Sequence, residues 1–207
     1  TGLPKDLPAL PGWQVNAYYQ AARQVGGDFY DCIYFDDGRL GLVIGDVTDK
    51  GVPAALLMAT TRSVLRAIAQ RLIAPGQVLE RVNEVLHPDI PAKMFVTCLY
   101  AVLDPASGQL RYANAGHDLP YHQHKKGDVT ELRATGMPLG LMPGMSYEEK
   151  ETTLAPGESV LFHSDGIVEA HNSNREMYGF PRLMRLVGEY TGDTPLKDLV
   201  LEDLAEF

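Results

Sequence analysis

MFVTCLYAVLDPASGQLRYAN, residues 94–114, is the stretch on which the fold turns. Met94 to Leu103 is nearly all apolar and of strand length, the pattern of a strand buried on both faces. Asp104-Pro105-Ala106-Ser107-Gly108 has turn chemistry, so Leu110 to Asn114 is predicted to run back antiparallel to it. Downstream, Leu119 to His122 and Val129 to Leu132 flank the polar turn Lys125-Lys126-Gly127-Asp128. After a loop punctuated by Gly136, Pro138, Gly140, Pro143 and Gly144, Tyr147 to Leu154 and Val160 to Ser164 read as a hairpin around Ala155-Pro156-Gly157-Glu158.

Upstream, Trp13 to Tyr19 and Phe29 to Phe35 are rich in aromatic and β-branched residues, and Asp36-Asp37-Gly38-Arg39 turns the second into Leu40 to Ile44. Two helices are predicted next. Pro53 suits a first helical turn, and Leu57, Thr61, Val64, Ile68 and Leu72 recur at three or four residues; Pro75-Gly76 breaks this period before Val78, Val82, Val85 and Leu86 mark the second helix. The C-terminal stretch is helical again, with Leu183, Leu186 and Val187 on one face and Leu196, Leu199, Val200, Leu204 and Phe207 on another. Helices that are grouped, not alternating singly with strands, disfavour a parallel doubly wound sheet; two antiparallel sheets covered by helices, an α+β fold, are expected.

The chain has 207 residues, 45% hydrophobic and 22% charged, an ordinary globular composition. Residues 1–12, with Leu3-Pro4 and Leu7-Pro8-Ala9-Leu10-Pro11, read as the end of a linker, and residues 13–207 as one domain. A formal charge of −9 argues against nucleic acid as a partner, because a phosphate-tracking surface needs clustered Lys and Arg. No run of 18 apolar residues suggests membrane insertion by this domain. Cys32 and Cys98 sit inside apolar runs, too few for a disulfide framework or a zinc cluster, and no secretory signal opens the sequence; a reducing, cytoplasmic setting is expected.

Three carboxylates stand at strand ends: Asp28 after Gly26-Gly27, Asp46 after Leu42-Val43-Ile44-Gly45, and Asp165 after Val160-Leu161-Phe162-His163-Ser164. Acidic groups at the rim of a buried sheet call for pairing or a cation, and oxygen-only ligands select hard ions such as Mg²⁺ or Mn²⁺. The competing reading makes Asp46 and Asp49 caps of the helix near Pro53, and Asp28 and Asp165 turn residues.

Gly26-Gly27-Asp28-Phe29-Tyr30-Asp31, Gly45-Asp46-Val47-Thr48-Asp49-Lys50-Gly51, Asn114-Ala115-Gly116-His117 and Ser164-Asp165-Gly166-Ile167-Val168-Glu169-Ala170 together resemble the successive motifs of the SpoIIE-like (sporulation stage II protein E-like) bacterial serine/threonine phosphatases, relatives of the type 2C metal-dependent protein phosphatases. The resemblance implies a four-layer α-β-β-α sandwich of two antiparallel sheets and two Mn²⁺ or Mg²⁺ ions. By motif, Asp46 would bridge both ions, the Val47 carbonyl would bind one, Asp165 would serve the first and Asp28 the second. Glu169 would be a candidate for a third, loose ion, and Arg23 for gripping substrate phosphate. The implied reaction is attack of a metal-activated water on phosphoserine or phosphothreonine, without a phosphoenzyme. The implied substrate is a phosphorylated anti-sigma-factor antagonist, and an N-terminal sensor domain in the parent chain would control activity.

Departures from the family pattern carry their own expectations. The family's last acidic pair and final strand have no counterpart before Leu204-Ala205-Glu206-Phe207, since neither Asp198 nor Asp203 has the right context; poor metal occupancy and low activity are expected. Thr48 stands where type 2C relatives carry a His, so water or another group must protonate the leaving oxygen. The competing functional reading is a catalytically silent phosphatase-like scaffold that binds a regulatory partner. His122-Gln123-His124, beside Lys125-Lys126, reads as a solvated hairpin turn and not a metal site; His117 reads as a structural His supporting the cleft loop, and His163 as facing away from Asp165. Gly26-Gly27 lacks the dinucleotide fingerprint, and Ser164 lacks hydrolase partners.

Overall fold

The computed structural model of the chain describes residues 3, 4, 7, 9–20 and 27–207. In chain order its elements are β1 (Asp28–Tyr34), β2 (Leu40–Val47), α1 (Val52–Ala69), α2 (Pro75–Leu86), a 3-10 turn (His87–Asp89), β3 (Val96–Leu103), β4 (Gln109–Ala115), β5 (Tyr121–Lys125), β6 (Asp128–Glu131), β7 (Glu149–Thr153), β8 (Ser159–Leu161), α3 (Asp165–Val168), α4 (Phe180–Glu189) and α5 (Leu196–Glu206). They form an α+β fold with two antiparallel sheets, ordered β1-β2-β3-β4-β7 and β6-β5-β8. The described residues fall into two compact units, one holding 27–117 and 133–153, the other 9–20, 118–132 and 154–207.

In the first unit β3 is the central strand, and Val96 and Cys98 through Leu103 are all buried, as its apolar run predicts. Strand side chains alternate, so Phe29 and Ile33 of β1 and Val43 and Val47 of β2 share the face that packs with Leu57 and Leu65 of α1 and Val78, Leu79 and Val82 of α2. Each such side chain withdrawn from water contributes about 1.5–3 kcal/mol before chain entropy is counted. The buried face of α1 is Ala54, Leu57, Thr61, Leu65 and Ala69, whereas Val64 and Ile68 are only partly buried and Leu72 lies beyond the helix; the three-or-four spacing fits either stripe, and packing selects the one centred on Leu65. Pro75-Gly76 opens α2, with Pro in the first turn, and the orphan N–H of the buried Gly76 donates to Glu149 Oε1 at 3.1 Å. Eighteen residues of mean hydropathy 1.2 make α1 long and apolar enough to cross a membrane, but Arg62 and Arg66 on it pair with the buried Asp31 of β1 and its buried face belongs to this core.

Two expected elements differ. Residues 13–20 carry no strand despite their aromatic and β-branched content, which is a weak indicator of pairing. Tyr147 to Ser164 is not a hairpin: β7 pairs with β4 as an edge of the five-stranded sheet, whereas β8 pairs with β5 in the other. Ala155-Pro156-Gly157-Glu158 is therefore where the chain changes sheets. The exposed, charge-rich side chains of β7 blunt an edge that would otherwise invite strand addition.

The second unit gathers Tyr121, Val168, Tyr178, Leu183, Leu186, Val187 and Val200 into a small core. Gln123 of β5 donates to the carbonyls of Gly188 and Tyr190, at 3.1 and 2.9 Å, and so ties the sheet to the end of α4. Arg182 of α4 forks onto both oxygens of Asp203 on α5, which also accepts from Tyr178 Oη at 2.6 Å. The two cysteine thiols are buried, and that burial pushes Cys32 up to about 11 and Cys98 to about 12.

Two outcomes follow for stability. Asp31→Asn leaves Arg62 and Arg66 facing a buried neutral amide; because both guanidiniums keep some water, urea denaturation should show a loss near the low end for a broken buried pair, about 3 kcal/mol. The Arg182 bonds, outweighing burial, hold the Asp203 carboxyl below its usual range. Its contribution is therefore complete above the unfolded carboxyl's value, near 4, and is lost as pH falls through the lower folded value; Asp203→Asn should flatten that acid limb in denaturation midpoints read from about pH 5 to pH 2.

Candidate functional site

Asp28 and Asp46 are directly opposed in the β1–β2 register, and Thr97 of β3 is opposed to Asp46, so the three form a row across one end of the sheet. Alternation puts this row on the face away from α1 and α2. Cβ atoms of directly opposed residues lie about 4.5–5.5 Å apart, and like charges so placed repel. The row's surroundings preserve it. Val47 N–H donates to the Gly27 carbonyl at 3.1 Å, and Thr97 Oγ1 lies 3.4 Å from the Asp46 carbonyl and 3.0 Å from His117 Nδ1. Asn114 brackets the turn to His117, its amide donating to the His117 carbonyl at 2.9 Å and its oxygen accepting from His117 N–H at 2.7 Å.

Gly27 is small for a reason that concerns the row. A Cβ there would sit 2.5 Å from the Val47 carbonyl oxygen and 2.9 Å from Asp46 Oδ1. Two opposed carboxylates, an adjacent carbonyl oxygen and space kept clear by glycine make an all-oxygen donor set of the kind that hard divalent cations take. The residues present thus fit such an ion in chemistry and in room.

The helix-capping alternative for the acidic residues fails. Asp46 belongs to β2, and the N-cap of α1 is Gly51, with no side-chain capping bond. Asp49, at φ +77°, turns its carboxylate onto its neighbour Lys50 N–H at 3.0 Å. Thr48, at the position where relatives carry a His, is fully engaged: its hydroxyl accepts from Phe95 N–H at 2.9 Å and donates to the Phe95 carbonyl at 3.1 Å.

In the second unit Asp165 opens the short helix α3, and Glu169 closes it with its N–H on the Asp165 carbonyl at 2.8 Å. Just before it, His163 is buried with Nε2 2.9 Å from the Leu119 carbonyl; burial lowers its pKa, against the raising effect of that bond. Arg23 and Gly26 lie outside the described residues. The structure therefore brings Asp28, Asp46 and Val47 together within one sheet. Sequence reasoning missed Thr97 as the third member of the row; a threonine interrupting the apolar run Met94 to Leu103 is the signal that could have marked it.

His122 and His124 are not a solvated turn. His122 is fully buried with Nε2 2.8 Å from Glu158 Oε2, because β5 extends through them to Lys125 and the exposed turn begins only there, running through Lys126 and Gly127 to Asp128.

Comparison with known proteins adds the following. The family model described as stage II sporulation protein E (SpoIIE) matches residues 36–207. Among curated relatives, protein IcfG of Synechocystis sp. is 32% identical over 98% of this chain and 36% of its own length, and the phosphoserine phosphatase RsbU of Bacillus subtilis is 31% identical over 92% of this chain and 56% of its own. The chain thus spans about a third to just over half of those relatives. The SiaA-PP2C domain of Pseudomonas aeruginosa superposes with a TM-score of 0.76 at 23% identity, over 88% of this chain and 74% of that one, a likeness of fold.

Gly27→Ala tests the cradle. The added methyl must displace the Val47 carbonyl or the Asp46 carboxylate, so a loss of about 1–3 kcal/mol in denaturant and a large drop in Mn²⁺ affinity by calorimetry are expected.

Proposed function

The chain belongs to the SpoIIE family, and from that premise we propose that it is a Mn²⁺- or Mg²⁺-dependent phosphatase that removes phosphate from phosphoserine or phosphothreonine on a regulatory protein. The substrate proposed is a phosphorylated anti-sigma-factor antagonist in bacterial cytoplasmic signalling, under control of an N-terminal sensor in the parent chain. The single observation that carries the reading is the opposed pair Asp28 and Asp46 with the Gly27 cradle beside the Val47 carbonyl.

These oxygens would hold the two cations. Asp165, and more loosely Glu169, are proposed as further ligands on their motif, and Arg23 as the phosphate grip. When bound, such ions supply Lewis-acid chemistry: a nucleophilic water at neutral pH and neutralisation of charge on the phosphoryl oxygens. The protein's own part is positional. Thr97 and the bracketed His117 turn fix the backbone at Asp46, so its carboxylate is aimed before substrate arrives, and the cost of ordering it does not fall on the reaction. Thr48 has both hydroxyl roles committed to Phe95 and is not available to protonate the leaving serine oxygen, which leaves that role to water or another group.

Hydrolysis of p-nitrophenyl phosphate with and without Mn²⁺ tests the proposal. Turnover should require Mn²⁺ and fall in Asp46→Asn by at least the roughly 100- to 1,000-fold that loss of one electrostatic stabiliser of a transition state costs. Turnover indifferent to Mn²⁺ or to that substitution would sink it, and absence of turnover at every Mn²⁺ concentration would favour a silent, partner-binding scaffold.

A further inference from the structure

Apart from the carboxylate row, one cluster of metal-ligating side chains stands out among the described residues. His122, His124 and Glu158 each offer a ligand atom, and these atoms lie within 4.8 Å of one another. His122 Nε2 is 2.8 Å from Glu158 Oε2, His124 Nδ1 is 3.6 Å from Glu158 Oε1, and the two imidazole rings lie 3.9 Å apart between centroids. We propose that His122, His124 and Glu158 form a second metal site that takes Zn²⁺ or a chemically similar borderline dication, separate from the oxygen-lined row of Asp28 and Asp46.

Four features support it. The donor set is chemically distinct: two imidazoles and one carboxylate suit Zn²⁺, where the all-oxygen row suits Mg²⁺ or Mn²⁺. The low cysteine count excludes thiolate zinc sites and says nothing against this one. The spacing is close to what binding needs, since bonds of about 2.0–2.1 Å in a tetrahedron place ligand atoms about 3.3 Å apart. The β5 ladder slips by one residue against β6 between Gln123 and Lys125, leaving His124 in the irregularity, and such bulges re-aim side chains.

The remaining polar atoms are arranged as outer partners of a metal ligand set. His124 Nε2 is 2.9 Å from Thr130 Oγ1, which orients the ring and leaves Nδ1 for the ion. Ala155 N–H donates to Glu158 Oε2 at 2.9 Å, which fixes the carboxylate beside the two imidazoles. His122 Nδ1 is buried with no hydrogen-bond partner, so the proton that binding at Nε2 would leave on Nδ1 finds no acceptor, a cost the metal bonds must exceed. Three protein ligands leave a fourth position for water. Because His122 pairs with Val160 and Gln123 with Ser159, an ion here would clamp β5 to the segment that enters β8, in the strand pair preceding Asp165.

Co²⁺ is the probe, because imidazole-bound four- or five-coordinate Co²⁺ absorbs visible light strongly and six-coordinate oxygen-bound Co²⁺ does not. It is titrated into the 207-residue chain, and into its Asp46→Asn variant, in excess Mg²⁺. The band should saturate at one equivalent in both and be bleached by Zn²⁺. His124→Ala, at a partly exposed position, and Glu158→Gln should each weaken Co²⁺ by more than about 100-fold, and Thr130→Val, which removes only an outer partner, by about tenfold, with circular dichroism reporting that each variant is folded. Absence of the band, its loss in Asp46→Asn, or unchanged affinity in folded His124→Ala would overturn the site. Should Glu158→Gln fail to fold, His124→Ala decides.

Discussion

The registers of β1 on β2 and of β2 on β3 are the constraint from which the rest of the first unit follows. Strand side chains repeat every two residues, so a slip of one position would turn Asp28 and Asp46 into the apolar space under α1 and α2 and push Phe29 and Val47 out of it. Burial of Phe29, Ile33, Val43 and Val47 against the helices thus specifies where the two carboxylates stand. The apolar core and the polar row are two results of one pairing.

The sheet handles its acids in two ways. Asp31, buried on the helix-facing side, is met by guanidiniums from Arg62 and Arg66, so its charge is balanced within the protein. Asp28 and Asp46, opposed on the other face, have a glycine where a side chain would fill the space beside them. An internal counter-ion makes a structural element; a carboxylate pair with room beside it is the arrangement on which the proposed cation site rests. Asp31 and Asp28 are three residues apart in the sequence, and alternation alone assigns them to these different fates.

Much of this was legible in the residues. The β3 run, the turns after it, the Pro-initiated helices and the strand-end position of Asp46 all carry local signals, and the family motifs lie where those signals place them. What the sequence hid depends on partners distant in the chain. Periodicity marks β7 and β8 as strands but cannot say that they join different sheets. The α1 pattern is compatible with stripes through Val64 or Leu65, and only packing chooses. Lys125 and Lys126 suggest a wet turn, yet β5 carries His122 into the interior, where it meets Glu158, thirty-six positions away. Thr48 shows in the sequence only as a replacement for the relatives' His; that both sides of its hydroxyl are taken depends on Phe95, far along the chain.

The sheet change at Ala155-Pro156-Gly157-Glu158 also bears on how the chain acquires its structure. Each unit is assembled from separated segments, so residues 118–132 must wait for residues 154–207 before their own sheet and core exist, while residues 27–117 must wait for 133–153 to complete an edge. Pairings between such distant segments close long loops before they gain contacts, which slows folding relative to a chain of local hairpins. Interleaving of this kind also means that no single cut releases either half intact. The two units are inherited, made and lost as one piece of chain, even though each has a hydrophobic core of its own.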